Sequence, residues 1–406
     1  MALQIFPLSS ELHDEGRLEE TYRPFIEGLE KEMKEPLRTC GSLDEKSDTL
    51  TVFLIKTGGV EEKFRAIAER CRGPFLLLAG SMHNSLAASC EILCWLKAQG
   101  MRGEIIHGSP GHMAERLRIH RSVYLAGLRM SRARLGVIGR PSPWLIASTV
   151  NYRKAREMFG VELVDIPVGK YLERIGRCGS VSAGDKYGLE ERAFDDSSLP
   201  PALDAYLALK SVVDEYGLDG LTLRCFDMLE SVRTTGCIAL SLLNSEGKIA
   251  ACEGDVPALI SMAMISCLTG GPVFMANPCQ IDIDGNSVVL AHCTVPLSMV
   301  KSYRLDTHFE SGIGAAVAGD IASGPATVFR LSSDFRHYFL SDGEITESLR
   351  ESTLCRTQIR LHIKEDVRYF LSGPLGNHHL ICRGAESQLI RCLLENMGEA
   401  VPVRYQ

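Results

Sequence analysis

The sequence predicts an α/β protein with two Rossmann-like parallel-sheet domains followed by a mostly β, barrel-like C-terminal domain. Up to residue 275, continuous apolar runs alternate with segments of helical spacing, as expected for strands that are covered on both faces of a parallel sheet. Beyond that point, short strand-like runs are separated by Gly, Asp and Asn turns, which favours a barrel or sandwich. We therefore divide the 406 residues into domains at 1–132, 133–275 and 276–406.

The first domain contains one clear βαβ unit. An apolar run at 75–80 ends in glycine, a segment of helical spacing follows at 84–98, and a second strand is predicted at 103–106. Ligands of parallel sheets collect at the C-terminal ends of the strands. His83, which follows the first strand of this unit, is therefore a candidate binding residue.

The second domain repeats the same pattern. Strands are predicted at 135–139, 161–164 and 220–226, while the apolar segment 237–243 fits either a strand or a helix. The glycine-rich G-x-G-x-x-G sequence that binds dinucleotides is missing, which disfavours a nicotinamide cofactor.

An uncharged segment at 256–281 could be mistaken for a membrane span. It is interrupted by Gly270, Gly271 and Pro272, so we predict a buried helix, a turn and a strand. Asp255 is suited to cap this helix and is also kept as a candidate catalytic carboxylate. Glu253 lies where a strand gives way to the helix, a position at which carboxylates can converge on a ligand.

Charge and cysteine content limit the classes of function. The net charge is −7, so a broad nucleic-acid surface is not expected. The 14 cysteines include no C-x-x-C pair, and no secretory or membrane-spanning segment is predicted. We interpret the cysteines as free thiols of a cytoplasmic protein.

The histidines are distributed unevenly. None of the 11 lies between residues 121 and 291. His292, His308 and the neighbours His378 and His379 are framed by small or turn-forming residues, and one carboxylate with two imidazoles is a reasonable ligand set for a divalent metal. Adjacent side chains of a strand point to opposite faces, so only one of His378 and His379 can face a given pocket, and spacing alone does not choose between them.

At these residues the sequence resembles the L-fucose isomerase and L-arabinose isomerase superfamily. Four motifs carry the resemblance, namely CEGD at 252–255, VLAH at 289–292, LDTHFESGIG at 305–314 and GNHH at 376–379. The resemblance implies that Glu253, His292 and His379 hold a divalent metal, with Mn²⁺ in first place. It also gives Glu253 a part in proton transfer.

The resemblance further implies a set of substrate contacts and partners. The substrate is a small sugar, and the chain is expected to form a homo-oligomer with sites near the subunit interfaces, without nucleic-acid or membrane partners. The implied contacts to the sugar are His83, Asn277, His308, Glu310 and Asn377.

One position departs from the family pattern. In both isomerases a second metal carboxylate follows the apolar helix, whereas here the sequence at 274–277 is FMAN and the carboxylate position is alanine. We expect a metal-dependent aldose–ketose isomerase-like enzyme that acts on an open-chain sugar by enediol proton transfer. The alternatives are a catalytically inactive sugar-binding or regulatory protein of the same fold, and a metal-dependent sugar epimerase or lyase.

Overall fold

The computed structural model describes residues 3–41, 48–71, 73–178, 187–192, 194–195, 197–396 and 403–404. The chain divides into two compact units, Met1–Leu128 and Arg129–Gln406.

The first unit is built on a five-stranded parallel sheet. Its strands, in the spatial order β2-β1-β3-β4-β5, are β1 (Leu3–Leu8), β2 (Arg38–Thr39), β3 (Leu50–Ile55), β4 (Phe75–Ala79) and β5 (Gly103–Ile106). The helices are α1 (Glu15–Met33), α2 (Glu61–Ala68), α3 (Ser85–Ala98) and α4 (Pro110–Arg132), whose last residues belong to the second unit. Separate apolar clusters pack around alternate residues of β3, because both faces of this sheet are buried.

The second unit begins with a four-stranded parallel sheet. In the spatial order β7-β6-β8-β9, its strands are β6 (Arg134–Ile138), β7 (Glu162–Ile166), β8 (Gly220–Leu223) and β9 (Ile249–Cys252). The helices of this part are α5 (Tyr152–Phe159), α6 (Val168–Leu172), α7 (Leu199–Tyr216), α8 (Asp227–Val232), α9 (Cys237–Ser245) and α10 (Val256–Thr269). A short 3₁₀ helix covers Glu190–Arg192.

Helix α10 is the uncharged segment noted in the sequence. The Asp255 side chain caps it by accepting a hydrogen bond from the Ala258 N–H, and Pro257 occupies its first turn. It ends at Gly270, which adopts a left-handed conformation with φ of 67°. Because α10 is buried nearly all round, it needs no polar face.

The rest of the second unit is a closed antiparallel barrel of six strands. Going round it, the order is β14-β17-β10-β11-β16-β15, and β15 pairs back with β14. These strands are β10 (Phe274–Asp282), β11 (Ser287–His292), β14 (Gly324–Leu331), β15 (His337–Ser348), β16 (Thr357–Ile363) and β17 (His379–Arg383). The remaining elements are a hairpin of β12 (Val300–Asp306) and β13 (Ala316–Ile321), a 3₁₀ helix at Leu297–Met299, α11 (Tyr369–Ser372), α12 (Ser387–Asn396), and β18 (Val403–Arg404), which pairs with β15.

The predicted fold class is therefore confirmed, with two parallel-sheet parts followed by a barrel. The second sheet and the barrel belong to one compact unit, so the boundary at 275/276 stays a prediction. Among the described residues, no helix has the length and apolar character needed to cross a membrane.

Candidate metal centre and active site

Three side chains of the second unit converge on one point. Glu253, His292 and His378 each offer a ligand atom, and these atoms lie within 4.8 Å of one another. Glu253 Oε1 is 3.9 Å from His292 Nε2 and 3.6 Å from His378 Nε2. Glu253 follows β9, His292 ends β11, and His378 precedes β17, so the parallel sheet and the barrel both contribute.

Glu253 is held in place by its backbone and by Trp144. Its φ is +60°, a left-handed conformation that is uncommon for a residue with a side chain. The next residue, Gly254, also has positive φ, and a Cβ there would come within 2.6 Å of the Arg140 carbonyl oxygen. The Trp144 indole N–H donates a 2.6 Å hydrogen bond to Glu253 Oε2. The other oxygen, Oε1, is therefore directed at the two histidines.

His378 is oriented by a buried carboxylate. Its Nδ1 lies 2.9 Å from Asp255 Oδ2, and Asp255 in turn forms a fully buried ion pair with Arg330 at 3.1 Å. A carboxylate bonded to one ring nitrogen fixes the tautomer and turns the other nitrogen towards a metal. His378 Nε2 is buried and has no hydrogen-bond partner. Such an orphaned nitrogen beside Glu253 Oε1 fits a bound divalent cation, since N and O donors of this kind are typical ligands.

His292 is held in a form suited to metal binding. Its Nδ1 lies 2.9 Å from the Thr294 hydroxyl, which leaves Nε2 facing Glu253. Burial, together with the neighbouring His378, lowers the pKa of His292 to about 4, although the Glu253 charge opposes this. The ring is therefore neutral near pH 7, as a ligand must be.

The remaining titratable groups of the cluster are shifted towards their charged forms. Burial raises the pKa of Glu253, but the interactions with His378, His292 and Trp144 outweigh it and lower the pKa to about 2. Burial likewise opposes ionisation of Asp255, but Arg330 and His378 hold its pKa well below the usual range. Burial alone would lower the pKa of His378. The neighbouring carboxylates of Asp255 and Glu253 have the larger effect, so the pKa is raised. Because a histidine binds a metal only in its neutral form, cation binding at His378 is expected to depend on pH.

The structure corrects the prediction that His379 joins Glu253 and His292. The His379 ring points the other way, with Nε2 at 3.1 Å from the Tyr369 hydroxyl and Nδ1 at 3.1 Å from the Asn377 carbonyl oxygen. The physical reason is the alternation of side chains along extended backbone, which places neighbours on opposite faces. His378, rather than the His379 implied by the family resemblance, therefore joins Glu253 and His292.

Asp255 lies behind His378 rather than in the cavity. Its oxygens are occupied by the Ala258 N–H, Arg330 and His378. This carboxylate can position His378, and it does not line the space where a substrate would sit.

The cluster opens into a cavity of about 480 Å³, including its mouth. The cavity is lined by Cys225, Phe226, Leu229, Thr235, Cys237, Cys252, Glu253, Asn277, His292, Cys293, His308, Glu310 and Cys355.

Three of the predicted substrate contacts line this cavity. Asn277 has a buried Oδ1 without a hydrogen-bond partner, and His308 is bonded through Nδ1 to the Ser311 hydroxyl at 2.9 Å. Glu310 is exposed at the cavity wall. An unpartnered amide oxygen and an imidazole that line the same cavity suit recognition of sugar hydroxyls.

The other two predicted contacts lie elsewhere. The side chain of Asn377 is exposed and does not line the cavity. His83 belongs to the first unit, in the turn between β4 and α3, where its φ is +51° and its ring lies 5.4 Å from that of His13.

Sequence reasoning missed Trp144, Arg330 and the cavity thiols. Trp144 is one of only two tryptophans and follows Pro141 and Pro143. The two prolines were the only local signal, since they indicate a loop of restricted conformation. Arg330 is fully buried on β14, and nothing in its local sequence indicates a partner 75 residues away.

Two curated proteins are similar to parts of this chain. Sulfoquinovose isomerase of Clostridium sp. (strain MSTE9) is 29% identical over 185 residues, which cover 43% of this chain and 41% of that protein. Sulfoquinovose isomerase of Alkalicoccus urumqiensis is 22% identical over 268 residues, which cover 61% of this chain and 59% of that protein. The chain thus spans less than two thirds of each relative, and no protein-family model matches it.

Proposed function

We propose that this chain is a metal-dependent aldose–ketose isomerase that acts on an open-chain sugar by enediol proton transfer. The observation that carries the proposal is the meeting of Glu253, His292 and His378, with His378 Nε2 buried and unpartnered and with Glu253 and His292 lining the cavity. The names of the two relatives support the same class of reaction and add a sulfonated sugar to the substrates to be tested.

These three residues would hold the cation, for which we propose Mn²⁺. A divalent cation supplies Lewis acidity that polarises the oxygens on C1 and C2 of the sugar. Glu253 would hold the cation through Oε1, which faces His378, while Oε2 accepts the hydrogen bond from Trp144. Its lowered pKa suits a ligand better than a base, because a general base works best with a pKa near the working pH.

We assign the transfer of the proton between C1 and C2 to His308. The imidazole is buried in the cavity wall and is fixed through Nδ1 by Ser311. An imidazole can both accept and return a proton. Asn277 would accept a hydrogen bond from a sugar hydroxyl through its unpartnered oxygen, and Glu310 would contact the sugar at the mouth. The homo-oligomer implied by the family resemblance remains a prediction.

A sugar-binding protein without turnover is the second candidate. The observation in its favour is Ala276, which is fully buried where the resembled enzymes carry a second carboxylate. This alternative keeps the cavity and loses the proton transfer.

Incubation with sugars in D₂O tests both functions. Sulfoquinovose and unsulfonated aldoses are followed by NMR with and without Mn²⁺. The proposal predicts conversion between aldose and ketose with deuterium at C2 of the aldose, strongly reduced in His308→Gln and Glu253→Gln and retained in the exposed control Glu344→Gln. Deuterium at C2 with inverted configuration and no ketose would favour an epimerase. Sugar binding without any exchange would favour the protein without turnover.

A further inference from the structure

Five thiols line the same cavity as Glu253 and His292 of the candidate metal site. They fall into two contact groups. Cys225 Sγ lies 3.2 Å from Cys252 Sγ, and Cys293 is in hydrogen-bonding contact with Cys237 and Cys355. The proposed function uses none of these thiols, although all five line the cavity.

The pair Cys225 and Cys252 belongs to two neighbouring parallel strands. Cys252 is the last residue of β9, directly before Glu253, and it pairs in register with Leu223 of β8. Cys225 lies two residues beyond Leu223, in the turn before α8. Both thiols are buried against each other, with 5% and 3% of their surfaces exposed, and both reach the cavity.

We propose that Cys225 and Cys252 form a reversible disulfide when a small hydroperoxide enters the cavity, and that this modification weakens cation binding at the neighbouring cluster. The second half rests on the proposed function, whereas the disulfide itself does not.

The reaction needs one peroxide and the two thiols. One sulfur attacks a peroxide oxygen, the O–O bond breaks, and a sulfenic acid forms with release of one water. The second sulfur then attacks the sulfenic sulfur, the S–O bond breaks, and a second water leaves as the S–S bond forms. Two S–H groups are oxidised by two electrons, and one H₂O₂ is reduced to two H₂O.

Disulfide formation would disturb the candidate metal site because the two sulfurs would have to move closer together. A disulfide joins its sulfurs at about 2.05 Å, so the pair has to close by roughly 1 Å from the present 3.2 Å. Glu253 is covalently attached to Cys252 and has a left-handed backbone that leaves it little freedom to compensate. Metal–ligand distances tolerate only about 0.2 Å. Oxidation is therefore expected to move Glu253 Oε1 away from its binding position.

Peptide mapping tests the disulfide directly. The reduced full-length protein is treated with a few equivalents of H₂O₂, alkylated, digested and analysed by mass spectrometry. We expect a Cys225–Cys252 cross-linked peptide that dithiothreitol removes. The cross-link should be absent from Cys225→Ser and from Cys225→Ala, and present in Cys382→Ser, a buried cysteine of β17 that does not line the cavity. Absence of the cross-link, or a cross-link through Cys293 instead, would overturn the proposal.

Calorimetric titration with Mn²⁺ tests the coupling. We expect at least tenfold weaker binding to the oxidised than to the reduced protein, recovery after dithiothreitol, and no effect of peroxide on Cys225→Ser. Equal affinity before and after oxidation would overturn the coupling. If the reduced protein binds no Mn²⁺, the proposed function and the coupling both fall, while the mapped cross-link still decides the disulfide.

Discussion

Glu253 illustrates how a single residue can serve a site through two separate oxygens. Trp144 holds Oε2 at 2.6 Å, while Oε1 faces His378 and His292. The sequence pattern identified Glu253 because it stands between a strand and a capped helix. It could not identify Trp144, since a hydrogen bond across 109 residues leaves no local pattern.

Replacing Trp144 by phenylalanine tests this positioning. The Trp144→Phe variant would keep an aromatic ring beside Phe226, whose ring lies 4.7 Å from the indole, but would not donate a hydrogen bond to Glu253. Loss of a partner that orients a metal ligand typically costs about 10–100-fold in metal affinity. We expect Mn²⁺ affinity, measured by calorimetry, to fall within that range. The matched control is Trp95→Phe in α3 of the first unit, and equal affinity in both variants would argue against the role of Trp144.

Asp255 is predicted to matter mainly for stability and for the orientation of His378. Asp255→Asn removes the charge from a fully buried pair with Arg330. Breaking a buried pair by removing one charge costs about 3–5 kcal/mol of unfolding free energy. Chemical denaturation of the cation-free protein measures the loss. Asp366→Asn, in an exposed pair with Arg368, is the control and should cost much less, because solvent screens the attraction between exposed charges. Similar losses in the two variants would contradict the buried pair.

At the scale of elements, periodicity predicted most strands and helices, and packing decided the rest. The sequence of segment 237–243 fitted either a strand or a helix. The segment lies in α9, where nearly every side chain is buried. Burial on all sides removes the polar face that distinguishes a helix in a sequence. The sequence also could not decide which of His378 and His379 faces the site, because this depends on how the chain enters β17.

The orientation of these two histidines predicts that Mn²⁺ binding needs His378 and does not need His379. Mn²⁺ should raise the melting temperature of the wild type, because a ligand that binds only the folded form stabilises it. His379→Gln should keep this shift, whereas His378→Gln should lose most of it. Thermal denaturation with and without Mn²⁺ checks both. A shift that survives in His378→Gln and vanishes in His379→Gln would reverse the assignment.

Between β5 and α4, an ion-pair network should give the first unit an acid-sensitive stability. Glu104 is bonded to Arg116 at 2.7 Å and to His120 at 2.8 Å. Burial raises the pKa of Glu104, but His120 and Arg116 outweigh it and lower the pKa from 4.5 to about 2. The unfolded chain therefore binds this proton more tightly, so the stabilisation is complete above pH 4.5 and is lost as the pH falls towards 2.

Glu104→Gln should flatten this dependence between pH 4.5 and 2, and the exposed Glu115→Gln on α4 should not. Denaturation at a series of pH values measures the slopes. Parallel curves for wild type and Glu104→Gln would contradict the network.

At the scale of the molecule, the order of two parallel sheets and a barrel followed from the sequence, because the period of apolar residues changes where the architecture changes. The set of residues that line the cavity could not be predicted from the sequence. Its residues come from β9, β10, β11, helices α8 and α9 and several loops, so only the folded chain brings them together. The five cavity thiols belong to this class, since scattered cysteines are ordinarily interpreted as core residues.

Direct titration of the reduced protein with Mn²⁺ is the most direct test of the shared cation site. We predict one Mn²⁺ bound per chain in the wild type and in the exposed control Glu344→Gln, and at least a hundredfold loss of affinity in Glu253→Gln. Binding of equal strength in Glu253→Gln, or a wild type that binds neither Mn²⁺, Co²⁺ nor Zn²⁺, would contradict the meeting of Glu253, His292 and His378 at one cation.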